Sequence, residues 1–138
     1  MSAGEALVGV VLVSHSKAVA ESVAALAAGL AGDGGAKVPL AAAGGTPDGG
    51  LGTSSELIAA AAREVDRGAG VALLVDLGSA VLTVKAMVAE GDELPEDSRL
   101  LDAPFVEGAV AAVVTASTGA DLAAVAAAAG EAYDYRKE

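Results

Sequence analysis

The stretch Leu7–Ser16 reads LVGVVLVSHS, and its reading decides the fold. Its first seven residues form an unbroken apolar run that stops at three small polar residues. A run of this length without alternation reads as a parallel strand buried on both faces. Such a strand needs helices above and below it, and the flanking sequence supplies them.

Downstream, Val19, Val23, Leu26, Ala27 and Leu30 recur at helical spacing, and Gly32-Asp33-Gly34-Gly35 ends that helix. Val38–Ala43 reads as a weaker second strand, followed by a glycine-rich loop over Gly44–Gly52. Thr53-Ser54-Ser55-Glu56 has capping-box spacing and opens a helix whose stripe is Leu57, Ile58, Ala61, Ala62 and Val65. Gly70–Leu77, GVALLVDL, is a third strand. Gly78-Ser79 starts a short helix with the stripe Val81, Val84 and Val88, and Gly91–Pro95 is a loop. Arg99–Asp102 reads as a short fourth strand, and Phe105–Ala116 and Asp121–Tyr135 as two final helices divided at Gly119. The pattern predicts an α/β fold in three layers: a mostly parallel sheet of about four strands in the order 2-1-3-4, with helices on both faces. At 138 residues one domain spanning the whole chain is expected.

Composition narrows the function classes. A net charge of −11 leaves no basic stripe for nucleic acid and no attraction to an anionic membrane. The absence of cysteine excludes thiol catalysis and thiolate metal sites, and a single histidine excludes a multi-histidine metal centre within one chain. Only Phe105, Tyr133 and Tyr135 are aromatic, so a base-stacking platform is not expected. No apolar stretch reaches the length of a membrane span, and no basic segment precedes the first apolar run, so a soluble cytoplasmic protein is expected. Walker A, G-x-G-x-x-G and G-x-S-x-G signatures are absent. The 35 alanines and 18 glycines predict a core in which helices approach the sheet closely.

In an open parallel sheet, chemistry sits beyond the carboxyl ends of the strands where the strand order reverses. With the order 2-1-3-4 that point lies between strands one and three. Strand one ends at Ser14-His15-Ser16 and strand three at Asp76-Leu77-Gly78-Ser79, so the one histidine and a carboxylate arrive at the same crevice. A neutral imidazole is a nucleophile, and an aspartate on its other ring nitrogen fixes the tautomer and stabilises the charge formed on attack. The helix that follows His15 offers backbone N–H groups to an anion, with Ser14 and Ser16 as hydroxyl donors. This combination suits accepting and passing on a phosphoryl group. A histidine at a strand end also reads as a structural residue, and Asp76 as a turn cap.

Four segments carry a resemblance: VLVSHS at Val11–Ser16, GGTPDGGLGTS at Gly44–Ser54, DLGSA at Asp76–Ala80 and LDAPFVEGA at Leu101–Ala109. Together they resemble the phosphotransferase subunit of phosphoenolpyruvate-dependent dihydroxyacetone kinase, a relative of the mannose-type enzyme IIA domains of the sugar phosphotransferase system (PTS). The resemblance implies that His15 is the phosphorylated residue. It implies that His15 accepts phosphate from the phosphocarrier protein HPr and passes it to ADP on the nucleotide-binding kinase subunit, while a third subunit binds dihydroxyacetone and yields dihydroxyacetone phosphate. No cofactor or metal is then bound directly; ADP and ATP sit on the partner subunit. It also implies a homodimer. Some relatives carry further carrier domains, and a chain ending at Glu138 is expected to take its phosphate from a separate protein.

Around His15, Asp76 is expected to orient the ring. Ser14, Ser16, Gly45, Thr46, Thr53, Gly78 and Ser79 are expected to bind the phosphoryl group or line the partner-docking rim, with Gly52 beside them on the loop. Asp102–Gly108 is expected to shape the dimer or the cleft. Two other readings remain open on the sequence: an enzyme IIA component of a mannose-type sugar transporter, and a non-catalytic regulatory module of the same fold.

Overall fold

The computed structural model describes residues 6–138. Four strands, β1 (Gly9–Ser14), β2 (Leu40–Gly44), β3 (Val71–Val75) and β4 (Ser98–Leu100), form one parallel sheet in the order β2-β1-β3-β4. Five helices cover it: α1 (Lys17–Leu30), α2 (Ser55–Val65), α3 (Gly78–Glu90), α4 (Phe105–Ser117) and α5 (Leu122–Glu131). The α/β class and the strand order expected from the sequence are both present.

The side chains of β1 alternate between two buried layers. Val10 and Leu12 join Ala72 and Leu74 against α1, α4 and α5, while Val11 and Val13 join Leu73 and Val75 against α2 and α3. Continuous apolar runs are the consequence of covering on both sides. Each fully buried Leu or Val contributes about 1.5–3 kcal/mol of burial free energy. Gly9 marks how closely the layers approach: a Cβ there would lie 2.3 Å from the Val65 carbonyl oxygen at the end of α2.

Several boundaries and faces differ from the sequence reading. β1 is displaced to Gly9–Ser14 and β2 to Leu40–Gly44. β3 ends at Val75 rather than Leu77, because Asp76 turns its carboxylate back toward β1. β4 covers Ser98–Leu100 rather than Arg99–Asp102. Gly32–Gly35, read as a helix terminator, belong to a 3-10 helix over Gly32–Lys37 after α1 has ended. On α1 the buried residues are Ala20, Val23 and Ala27, while Val19, Leu26 and Leu30 are exposed. The helix lies so near the sheet and α4 that alanine fits where leucine would not. On α3, longer than expected, the buried line is Ala80, Val84 and Met87, with Val81 and Val88 only half-buried.

Ser54, not Thr53, caps α2: its Oγ accepts from the Leu57 N–H at 3.2 Å. Leu57 is half-buried. Asp121 caps α5 from outside through Ala124 N–H at 2.9 Å, and the chain passes into a 3-10 turn at Ala132–Asp134 before Tyr135. No helix among the described residues is long and apolar enough to cross a membrane.

Candidate functional site

The carboxyl ends of β1 and β3 meet as the topology requires, and there the side chains form one connected set. Asp76 N–H continues the ladder to the Val13 carbonyl at 3.1 Å, which fixes its backbone beside His15. Its carboxylate then takes four donors. Oδ2 accepts from the Ser14 hydroxyl at 2.8 Å and from the His15 backbone N–H at 3.0 Å. Oδ1 accepts from Leu77 N–H at 2.7 Å and lies 3.0 Å from His15 Nδ1. Burial pushes the Asp76 carboxyl up, but the donors from His15, Ser14 and Leu77 outweigh it and hold the group below its ordinary range. An ionised carboxylate accepts only, so Nδ1 carries the ring proton and the lone pair resides on Nε2.

Nε2 faces the Ser79 hydroxyl at 2.6 Å. Ser79 stands in the first turn of α3, whose N-cap is Leu77 and which has no side-chain cap. α4, which follows Pro104, has no side-chain cap either, whereas α1, α2 and α5 are capped by Ser16, Ser54 and Asp121. The Gly78 and Ser79 amides of α3 have no partner among the described residues, while Ala80 N–H donates to the Leu77 carbonyl at 3.1 Å, so two free amides stand beside Nε2 at the positive end of a helix dipole. The His15 side chain is 26% exposed, so the ring is held but reachable.

The other expected residues divide between support and periphery. Ser14 is buried; its hydroxyl donates to Asp76 and accepts from Ser16 N–H at 3.1 Å, so it braces the carboxylate. Ser16 spends its Oγ on capping α1, accepting from Val19 N–H at 3.2 Å. Gly45 N–H donates to the Ser14 carbonyl at 3.1 Å, and Gly52 N–H to the His15 carbonyl at 2.9 Å, so both ends of the glycine-rich loop are tied to the histidine segment. Thr46 points into that loop: its hydroxyl bonds Asp48 and accepts from Gly50 N–H at 3.0 Å. Thr53 keeps its Oγ1 buried without a partner. Gly78 opens α3 with φ +44°. Asp102 accepts from the Tyr133 hydroxyl at 2.9 Å, which raises that phenol's pKa, and Glu107 pairs with Lys137 at 2.9 Å. The Asp102–Gly108 segment is therefore tied to the end of the chain. Sequence reasoning missed the bracing role of Ser14 and the backbone N–H groups of His15 and Leu77. Backbone donors leave no residue-type signal, and a serine beside a histidine does not reveal which way its hydroxyl turns.

A family model described as the PTS system fructose IIA component, EIIA-man, matches residues 9–126. The chain belongs to the EIIA-man family. Among its relatives, "PEP-dependent dihydroxyacetone kinase 2, phosphoryl donor subunit DhaM" of Listeria innocua is 35% identical over 78% of this chain and 85% of the relative. The DhaM phosphoryl donor subunit of Escherichia coli is 34% identical over 84% of this chain, which spans only 25% of that longer protein. A crystal structure of a protein of unknown function superposes with a TM-score of 0.78 at 30% identity, covering 91% of this chain and 94% of the other. A sigma-54 interaction domain protein from Enterococcus faecalis, at 18% identity and a TM-score of 0.66, covers 94% of this chain and 93% of its own and shares the fold.

Proposed function

We propose that this EIIA-man domain is the phosphohistidine carrier of a phosphoenolpyruvate-dependent dihydroxyacetone kinase. It takes its phosphoryl group from HPr onto His15 and delivers it to ADP on a nucleotide-binding kinase subunit. The observation that carries the reading is the clamped ring: Nδ1 on Asp76, and Nε2, unprotonated, against the Ser79 hydroxyl at the start of α3.

In the loading step the Nε2 lone pair attacks the phosphorus of the donor's phosphohistidine. A new N–P bond forms as the old one breaks, and its electron pair returns to the donor ring. Ser79 Oγ swings off Nε2, and its hydroxyl, with the Gly78 and Ser79 amides, receives the phosphoryl oxygens. Asp76 stabilises the positive charge that the ring gains while it keeps its Nδ1 proton. On discharge a β-phosphate oxygen of ADP attacks the phosphorus, the N–P pair returns to Nε2, and ATP forms on the partner. The nucleotide stays on that subunit as a recycled cofactor, and this chain has only to position and stabilise.

Support for the dihydroxyacetone kinase branch comes from the names of relatives at about 35% identity. The description of the family model favours a second reading, a sugar-transporter IIA component. Intact-mass analysis after incubation with phosphoenolpyruvate, enzyme I and HPr tests both. One acid-labile phosphoryl group is expected on the wild type and none on His15→Gln. It should be drained by the ADP-loaded kinase subunit. Drainage only by a transporter IIB component would select the second reading, and no labelling would refute both.

A further inference from the structure

Ser79 meets the His15 ring in a way that phosphoryl transfer alone does not require. Its hydroxyl lies 2.6 Å from Nε2, while Nδ1 on the far side of the ring lies 3.0 Å from Asp76 Oδ1. Because Asp76 is ionised and Nδ1 keeps the ring proton, the Ser79 hydroxyl donates to the Nε2 lone pair. Serine, histidine and aspartate thus stand in one chain of hydrogen bonds, within the reach that a nucleophile, its base and the base's orienting group need. Asp76 is itself braced by the Ser14 hydroxyl and by the His15 and Leu77 amides, which holds the far end of the chain in place.

The two serines that flank His15 in sequence have other duties. Ser14 is buried and gives its proton to Asp76, and Ser16 caps α1. Ser79 is exposed, and among the described residues its hydroxyl bonds only Nε2. It sits where β3 turns into α3, and Gly78, at φ +44°, makes that turn. The G-x-S-x-G sequence of the hydrolase elbow is absent, but strand, tight turn, serine and helix follow in the same order. The unpaired Gly78 and Ser79 amides add two donors for an oxyanion that forms beside the serine.

We infer that the domain, with its histidine unloaded, has a second activity: hydrolysis of short-chain acyl esters, with Ser79 as nucleophile, His15 as general base and Asp76 as the group that orients the ring. Ser79 Oγ bonds to the ester carbonyl carbon as its proton passes to Nε2, and the carbonyl π pair moves onto the oxygen, which the two amides hold. The tetrahedral intermediate collapses, the bond from carbon to the alcohol oxygen breaks, and that oxygen takes the proton from Nε2. Water then attacks the acyl-serine by the same route: Nε2 takes a proton from the water and returns it to Ser79 Oγ as the acid leaves. The balance is ester plus water to acid plus alcohol. The site is open, with Ser79 exposed and the ring 26% exposed, so it admits a small acyl group and does not enclose a long one. Leu82, one turn beyond Ser79 on α3 and 70% exposed, gives such a group an apolar surface to rest on. A phosphoryl group on Nε2 takes up the lone pair, so hydrolysis and loading exclude each other.

Two reagents test this on the intact chain. p-Nitrophenyl acetate reports turnover, and a fluorophosphonate traps an activated serine with release of fluoride. The expected result on the wild type is one phosphonyl adduct per chain, mapped to Ser79 by peptide mass. Turnover should fall about 100-fold or more in Ser79→Ala and in His15→Gln, as for the loss of a nucleophile or its general base. Adduct formation on Ser79 should slow by a similar factor in His15→Gln. Circular dichroism checks that both variants fold, and the wild-type adduct is read without any substitution. Turnover in Ser79→Ala within about twofold of wild type would mean that the imidazole attacks the ester itself, and overturns the inference. So does an acetyl or phosphonyl group mapped to His15. Ser79 modified as fast in His15→Gln as in wild type removes the base from the scheme. A wild type that takes no adduct and hydrolyses no faster than Ser79→Ala removes the activity altogether.

Discussion

At the scale of single residues, one carboxylate does most of the organising. Asp76 receives the His15 ring, the His15 backbone, Ser14 and Leu77, and so fixes both where the imidazole stands and which nitrogen bears its proton. Asp76→Asn should therefore slow phosphoryl transfer to His15 by roughly 10-fold or more, in line with losing a partner that orients a reactive imidazole. Rapid-quench labelling checks this, and an unchanged rate would reduce Asp76 to a turn cap. The same donors make a pH prediction. A carboxyl held below its ordinary range in the folded chain stabilises the fold above its unfolded pKa, and that stability is lost as pH falls through the folded value. Urea midpoints of wild type and Asp76→Asn should thus stay separated down to the ordinary Asp pKa of about 4 and converge only below it. Convergence already near neutral pH would contradict the account.

At the scale of elements, contacts between backbones set how β1, α1, α2 and the glycine-rich loop fit together. A Cβ on Gly44 would meet the Ser16 carbonyl oxygen at 2.5 Å and Lys17 Cα at 2.6 Å, directly behind the histidine. A Cβ on Gly9, at the start of β1, would meet Val65 at the end of α2. Both alanine variants should be destabilised by about 1–3 kcal/mol as overpacked sites. Calorimetry measures that loss. Labelling kinetics of the folded fraction should separate the two, with Gly44→Ala slowed and Gly9→Ala unaffected. Equal labelling would mean that the loop does not help to place His15. The strands, their order and the meeting of His15 with Asp76 were legible because continuous apolar runs and the switch-point rule both depend on residue pattern. The buried face of α1 was not. Its leucines and its alanines both keep helical spacing, and only the closeness of the sheet selects Ala20 and Ala27 over Leu26 and Leu30. The cap of α2 was misplaced by one residue because Thr53 and Ser54 are both competent caps.

At the scale of the whole molecule, a net charge of −11 accompanies a sheet edge that carries Asp48, Asp76 and Asp102 alongside Lys17 and Lys85. Long-range attraction should speed the encounter with a basic-faced carrier, so loading rates should fall as ionic strength rises through the range where the Debye length drops from about 10 to 3 Å. Stopped-flow or quench series in salt measure this, and a flat profile would remove charge steering. All of it depends on His15 holding a phosphoryl group on the nitrogen that Asp76 leaves free. The most direct measurement is phosphorus and nitrogen NMR of the nitrogen-15-labelled chain, taken after loading by phosphoenolpyruvate, enzyme I and HPr. A single phosphoramidate signal at His15 Nε2, with the proton retained on Nδ1, is the predicted result. Phosphate on Nδ1, on another residue, or nowhere on the chain would contradict it.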